Sequence, residues 1–371
     1  MLLLALLALA APPDAPLSKA DAAAARDRIW ADHVAKLKAE RADEMKAGVL
    51  TDGDKEMKFT AKTFGTRPAA GNSLWISLHG GGGAPPRVND QQWENQKKLY
   101  TLDEGVYVAP RAPTNTWNLW HEPHIDRLFA RLIENYVALD GVDPDRVYVM
   151  GYSAGGDGVY QIAPRLADRW AAAGMMAGHP NDASPLNLRN VAFALQMGGN
   201  DAAYNRNKVL AEWGQKLYDL ERADLGGYSH FYKLHEGKPH WMGGQDKIAL
   251  PWMAKHTRNP TPDRVVWRLT GPHERSYWLA VPPGSAKAGA VVVAKRFGQT
   301  VDITQADGIT KLTVRFDDRM QDLDQPVTVT HKGKVLFSGT VPRTAATLAK
   351  TLADRGDQHL MYDAEVTVEV K

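Results

Sequence analysis

Gly151-Tyr152-Ser153-Ala154-Gly155 stands directly behind an apolar run, residues 146–150, that reads as a buried strand. A serine in such a pentapeptide fits a sharp turn from a strand into a helix. Side chains flanking the turn collide with the strand and the helix unless they are very small, and glycine removes the collision. The serine is then left exposed above the sheet, with the positive end of the following helix beneath it. The plain alternative is a Gly-rich turn that holds a serine by chance. The strand before it and the helix-compatible run after it favour the sharp turn.

A turn of this kind needs a sheet around it. Residues 74–78, 105–109, 191–197 and 228–234 also read as strands. Helical stripes fall between them: Ile125, Leu128, Phe129, Leu132, Ile133 and Tyr136 in one, and Val209, Trp213, Leu217 and Leu220 in another. Short apolar strands alternating with amphipathic helices predict an α/β fold, a mostly parallel sheet covered on both faces.

Three further segments carry chemistry. His79-Gly80-Gly81-Gly82-Gly83 follows the strand at 74–78. Its backbone N–H groups can approach a substrate oxygen without a Cβ in the way, and with Ala154 they form a candidate oxyanion hole of Gly81, Gly82 and Ala154. No Gly-Lys-Ser/Thr follows, so a phosphate loop is disfavoured. His79 itself reads as support for this loop. Gly198-Gly199-Asn200-Asp201 follows the strand at 191–197, and Pro239-His240-Trp241 follows the strand at 228–234. The order Ser153, Asp201, His240 assigns nucleophile, acid and base. Asp157, one turn into the helix after Ser153, is the competing acid. His121 and His124 lack a third ligand, so no metal is assigned. Trp117, Trp120, His121 and Trp241 sit on loops at the same sheet edge and are expected to line a substrate pocket, with simple loop packing as the alternative.

These four segments resemble the α/β-hydrolase superfamily, and within it the poly(3-hydroxybutyrate) depolymerase-like and feruloyl-esterase-like carboxylesterases, with prolyl oligopeptidase-type hydrolases as relatives. The resemblance covers about 57–255. It implies a serine esterase that cleaves a small-molecule or polymeric ester and needs no metal or organic cofactor. A serine peptidase and a non-catalytic binding protein on a hydrolase scaffold are the alternatives; the filled triad positions weigh against the second.

The chain divides by pattern into 1–11, 12–56, 57–258 and 264–371. Residues 1–11 are Leu- and Ala-rich, too short to span a bilayer, and fit a secretory signal, which predicts a secreted or periplasmic protein without a stable membrane anchor. Residues 12–56 hold a charged helical segment. Beyond Asn259-Pro260-Thr261-Pro262 come short alternating strands, at 265–269, 277–281, 291–294, 312–316, 327–330, 335–337 and 365–370, with a helix at 344–353. They predict a β-rich, sandwich-like C-terminal domain. It serves either to dock an extended substrate or to cover the hydrolase domain, and Trp267, Tyr277 and Trp278 are expected in its core rather than on a binding face. With Lys+Arg 45 against Asp+Glu 43 there is no basic face for nucleic acid. The absence of cysteine removes disulfide scaffolds, thiolate metal sites and cysteine nucleophiles together.

Overall fold

The computed structural model describes residues 14–270 and 273–370, so the expected signal segment lies outside the described residues. Eight strands form the main sheet: β1 (Val49–Asp52), β2 (Lys55–Phe64), β3 (Asn72–Leu78), β4 (Gly105–Pro110), β5 (Val142–Tyr152), β6 (Ala172–Met176), β7 (Ala192–Gly198) and β8 (His230–His235). Their spatial order is 1-2-4-3-5-6-7-8. Strands β3 to β8 run parallel, and β2 is antiparallel to both β1 and β4. The central strands β3, β4, β6 and β7 are buried at every position, as continuous apolar runs covered on both faces must be.

Six helices accompany this sheet: α1 (Lys19–Ala47), α2 (Pro86–Gln96), α3 (Pro123–Asp140), α4 (Ala154–Arg165), α5 (Arg206–Ala223) and the short α6 (Ala249–Met253). α3 buries the stripe expected of it and ends on Gly141 in the left-handed conformation. α1 starts at the N-cap Ser18, whose side chain accepts from Asp21 N–H. The sheet begins before the change of pattern at Met57, because β1 and β2 form a hairpin that feeds it.

The C-terminal domain holds β9 (Arg264–Arg268), β10 (Arg275–Ser276), β11 (Leu279–Ala280), β12 (Ala286–Phe297), β13 (Thr300–Ile309), β14 (Lys311–Phe316), β15 (Val327–His331), β16 (Lys334–Gly339), α7 (Ala345–Arg355) and β17 (Ala364–Glu369). One sheet has the order 10-11-14-17 and the other 16-15-13-12-9, and the apolar faces of both enclose a second core that includes Trp267, Tyr277, Trp278, Phe316 and Val327. The strand expected at 277–281 is instead a tight β10–β11 hairpin, because Tyr277 takes a positive φ of 51° and reverses the chain. β13 is absent from the sequence expectation; it pairs along the full length of β12.

α1 touches both domains. Arg41 and Arg131 pair with Glu134 and Glu44 across the α1–α3 contact, while Ala25 packs with Leu348, Leu352 and Met361 around α7. Arg26 reaches Asp363 at 2.8 Å.

Candidate active site

β5 ends at Tyr152 and α4 begins at Ala154, so Ser153 carries the whole reversal. Its φ is 58° and ψ −123°, a conformation that costs a non-glycine residue of order 1–3 kcal/mol. The surroundings hold it there. Ser153 N–H donates to Met176 C=O at 2.9 Å, and Asp157 N–H donates to Ser153 C=O at 3.0 Å. Gly155 lets α4 lie directly on β3: a Cβ on it would sit 2.1 Å from the carbonyl oxygen of Leu78.

Asp201 follows β7 and His240 follows β8, and the fold brings both to Ser153. The Ser153 hydroxyl donates to His240 Nε2 at 2.9 Å, and His240 Nδ1–H donates to Asp201 Oδ2 at 2.6 Å. Asp201 is buried, and the Nη1 of Arg206 stands 3.7 Å from its other carboxylate oxygen. The strand order, with Ser153 after the fifth strand, Asp201 after the seventh and His240 after the eighth, decides the architecture. This is the α/β-hydrolase fold.

A Gly loop crosses close to Ser153. A Cβ on Gly80 would lie 3.2 Å from Ser153 Cβ. Gly81, at φ 106°, presses against Asn89, whose Oδ1 would be 2.1 Å from an added Cβ. The same oxygen accepts the N–H of Gly82 at 2.8 Å. Gly82 therefore does not fit the oxyanion role expected of it: its donor is already spent. The N–H of Gly81 has no partner among the described residues, and the N–H of Ala154 is the first of its helix with no helical carbonyl behind it. These two remain as donors.

His79 supports the loop from beneath. Its ring is buried, Nδ1–H donates to Gly80 C=O at 2.6 Å, and Nε2 accepts from Ala112 N–H at 3.1 Å. Burial lowers its pKa to about 4, so the ring is neutral and can serve both contacts. Contrary to expectation, Trp120 does not line a pocket. It is fully buried, donates from Nε1 to His79 C=O at 2.9 Å, and packs edge-on to the His79 ring, so it is a pillar under the loop and not a pocket wall.

Trp117 and Trp241 do lie at the surface, 64% and 53% exposed, one against Gly83 and the other beside His240. His121 is half-buried edge-on to Trp117, with its pKa lowered to about 4 by burial. Asp157 accepts from His179 N–H at 2.6 Å and makes no hydrogen bond to His240 among the described residues; desolvation raises its pKa. His124 faces Glu122 at 3.4 Å, and neither it nor His121 belongs to a group of three possible metal ligands among the described residues.

Asn89 escapes sequence reasoning because it lies on α2, a polar segment without an apolar stripe. Tyr152, the variable residue of the pentapeptide, also carries more than its place in the motif indicates: its hydroxyl bonds the backbone on both sides of Trp241.

No protein-family model matches the chain, and no curated protein matches it. Among solved structures it is similar to a thermostable esterase, at 16% identity and a TM-score of 0.41, over 57% of this chain and 62% of that one. It is similar to the enterobactin esterase of Shigella flexneri at 17% identity and a TM-score of 0.40, over 56% of this chain and 59% of that one. A carboxylesterase from Mesorhizobium loti matches at 16% identity and a TM-score of 0.37, over 56% and 97%. The chain thus spans less than two thirds of the first two.

Proposed function

We propose that the protein hydrolyses a carboxylic ester through an acyl-enzyme. The observation that carries this reading is the unbroken hydrogen-bond line from Ser153 through His240 to Asp201 at a backbone-strained elbow. Ser153 Oγ attacks the ester carbonyl while its proton passes to His240 Nε2. Asp201 keeps the Nδ1–H tautomer and stabilises the imidazolium. The tetrahedral oxyanion is met by the N–H groups of Ala154 and Gly81. His240 then gives its proton to the departing alcohol oxygen. A water molecule, deprotonated by the same nitrogen, attacks the acyl carbonyl, and the proton returns to Ser153 as the acid leaves. No step calls for a metal or an organic cofactor. Trp117 and Trp241 are exposed, one against the Gly loop and the other beside His240, and supply flat apolar surface to a small or polymeric ester.

The test is a panel of p-nitrophenyl esters of varied chain length, methyl ferulate, a hydroxyalkanoate oligomer and a peptide amide. Turnover of esters is expected, with loss of both turnover and fluorophosphonate labelling in Ser153→Ala. Labelling that survives the substitution removes Ser153 as nucleophile. Turnover of the amide alone makes the protein a peptidase, and no turnover or labelling in the unmodified protein makes it a binding protein.

A further inference from the structure

His240 arrives on a loop with no regular structure between the end of β8 and residue 245. Gly243 and Gly244 both sit at positive φ, and the His240 side chain is 41% exposed, so packing does little to fix the ring. One side chain reaches this loop from the sheet. The Tyr152 hydroxyl donates to His240 C=O at 2.7 Å and accepts from Met242 N–H at 2.9 Å. Among the described residues, no other side chain hydrogen-bonds to the backbone of 240–242. The Tyr152 ring lies edge-on to the His240 imidazole, centroids 6.0 Å apart, and against Trp241 at 5.3 Å. Burial pushes the phenol well above its ordinary range, which keeps it a donor.

We propose that Tyr152 is a positioning residue for the base: its hydroxyl clamps the loop that carries His240 and so sets the reach of the imidazole to Ser153 and Asp201. Nucleophile and clamp are then consecutive residues, and any shift of the elbow moves both together. The kinetic consequence rests on the function proposed above. A base displaced by about 1 Å loses on the order of 10²-fold in rate, because proton transfer depends on a near-attack geometry.

Tyr148 provides a matched control. It lies on the same strand four residues earlier, and its hydroxyl donates to His256 C=O at 2.8 Å, in a segment that carries no member of the triad. Tyr152→Phe and Tyr148→Phe, made in the full chain, each remove a phenol hydroxyl and keep the ring. Steady-state kinetics on the best ester of the panel and NMR signals of the His240 ring, assigned with His240→Gln, are the readouts. Tyr152→Phe is expected to lower kcat about 10²-fold with KM within about twofold of the unmodified protein, and to shift or broaden the His240 ring signals. Tyr148→Phe leaves kcat and those signals unchanged. Because ring signals and fluorophosphonate labelling are read on folded molecules, partial unfolding does not imitate the effect. Unchanged kcat and ring signals in Tyr152→Phe overturn the proposal, as does an equal loss in the two variants. If the unmodified protein turns over no ester and takes no label, the function falls instead. The ring signals then decide the clamp alone: changed signals support it and unchanged signals overturn it.

Discussion

Asp201 and Asp157 both stand near His240, yet only Asp201 accepts its Nδ1–H, while Asp157 is committed to the backbone of His179. Asp201→Asn offers the imidazole the wrong partner and is expected to lower kcat by about 10⁴, as in other triads. Asp157→Asn is expected to change it far less, and a reversed ranking in the same ester assay moves the acid role to Asp157. His79 and His121 make a separate expectation for pH. Both have folded pKa values near 4, against an ordinary value of 6.5. Between those values the unfolded chain holds protons on these rings that the folded chain does not. Stability is therefore complete above about pH 6.5 and is lost as pH falls toward 4. Asp157 and Asp246, whose pKa values burial raises above the ordinary 3.8, act in the opposite sense at the acid end of this window, so the loss is clearest in the interval just below pH 6.5. Thermal melts across that interval should show a falling Tm, and a flat one contradicts the assignment.

α4 lies directly on β3 at Gly155. A Cβ at position 155 would meet the Leu78 carbonyl oxygen at 2.1 Å and its carbon at 2.7 Å, both backbone atoms that move only with the strand. Gly155→Ala is expected to cost about 1–3 kcal/mol or more of stability and to displace the Gly80–Gly81 backbone from Ser153. Denaturant unfolding and ester turnover should fall together, and an alanine variant with normal values for both overturns this account of the contact. Strands β3, β4, β5 and β7 were legible in the sequence because a sheet covered on both faces needs continuous apolar runs, whereas the equally buried β6, Ala172–Met176, was not, since it holds only Ala, Gly and Met and no β-branched or aromatic residue. The C-terminal ends of β5, β7 and β8 then placed Ser153, Asp201 and His240 on one edge. β2 was not legible, since most of its side chains are exposed and its Lys and Thr residues conceal the strand. α2 was missed because it buries Asn89 and Gln96 instead of an apolar stripe, and the partner of Gly82 was missed with it. Trp120 and Trp117 look alike in sequence, three positions apart in one loop. Only the tertiary packing sends one under the Gly loop and leaves the other in solvent.

The two domains share buried charge. Arg258 lies before the Pro-rich linker and is fully buried; it holds Asp145 at 2.7–2.8 Å and, from the C-terminal domain, Asp357 at 2.8 Å. Asp168 binds Arg355, and Arg169 donates to the Arg355 carbonyl. His273 reaches Asp126 at 2.8 Å. A chain ending near Pro260 leaves Arg258 with Asp145 but takes Asp357 from it, Arg355 from Asp168 and the Arg355 carbonyl from Arg169. Breaking one buried pair costs about 3–5 kcal/mol, against a total stability of about 5–15 kcal/mol. That truncation is expected to be insoluble or to melt well below the full chain, which favours a covering role for the C-terminal domain. A stable, soluble truncation that keeps small-ester activity and loses only polymer activity favours docking. The position of α1 extends this dependence to biosynthesis. One of its faces rests on α3, but the other waits for α7, about 300 residues downstream. At the usual pace of about 5–20 residues per second, α1 stays half-covered for on the order of 15–60 s. Until the ribosome has delivered α7, that face of α1 lacks the apolar cover it has in the folded protein.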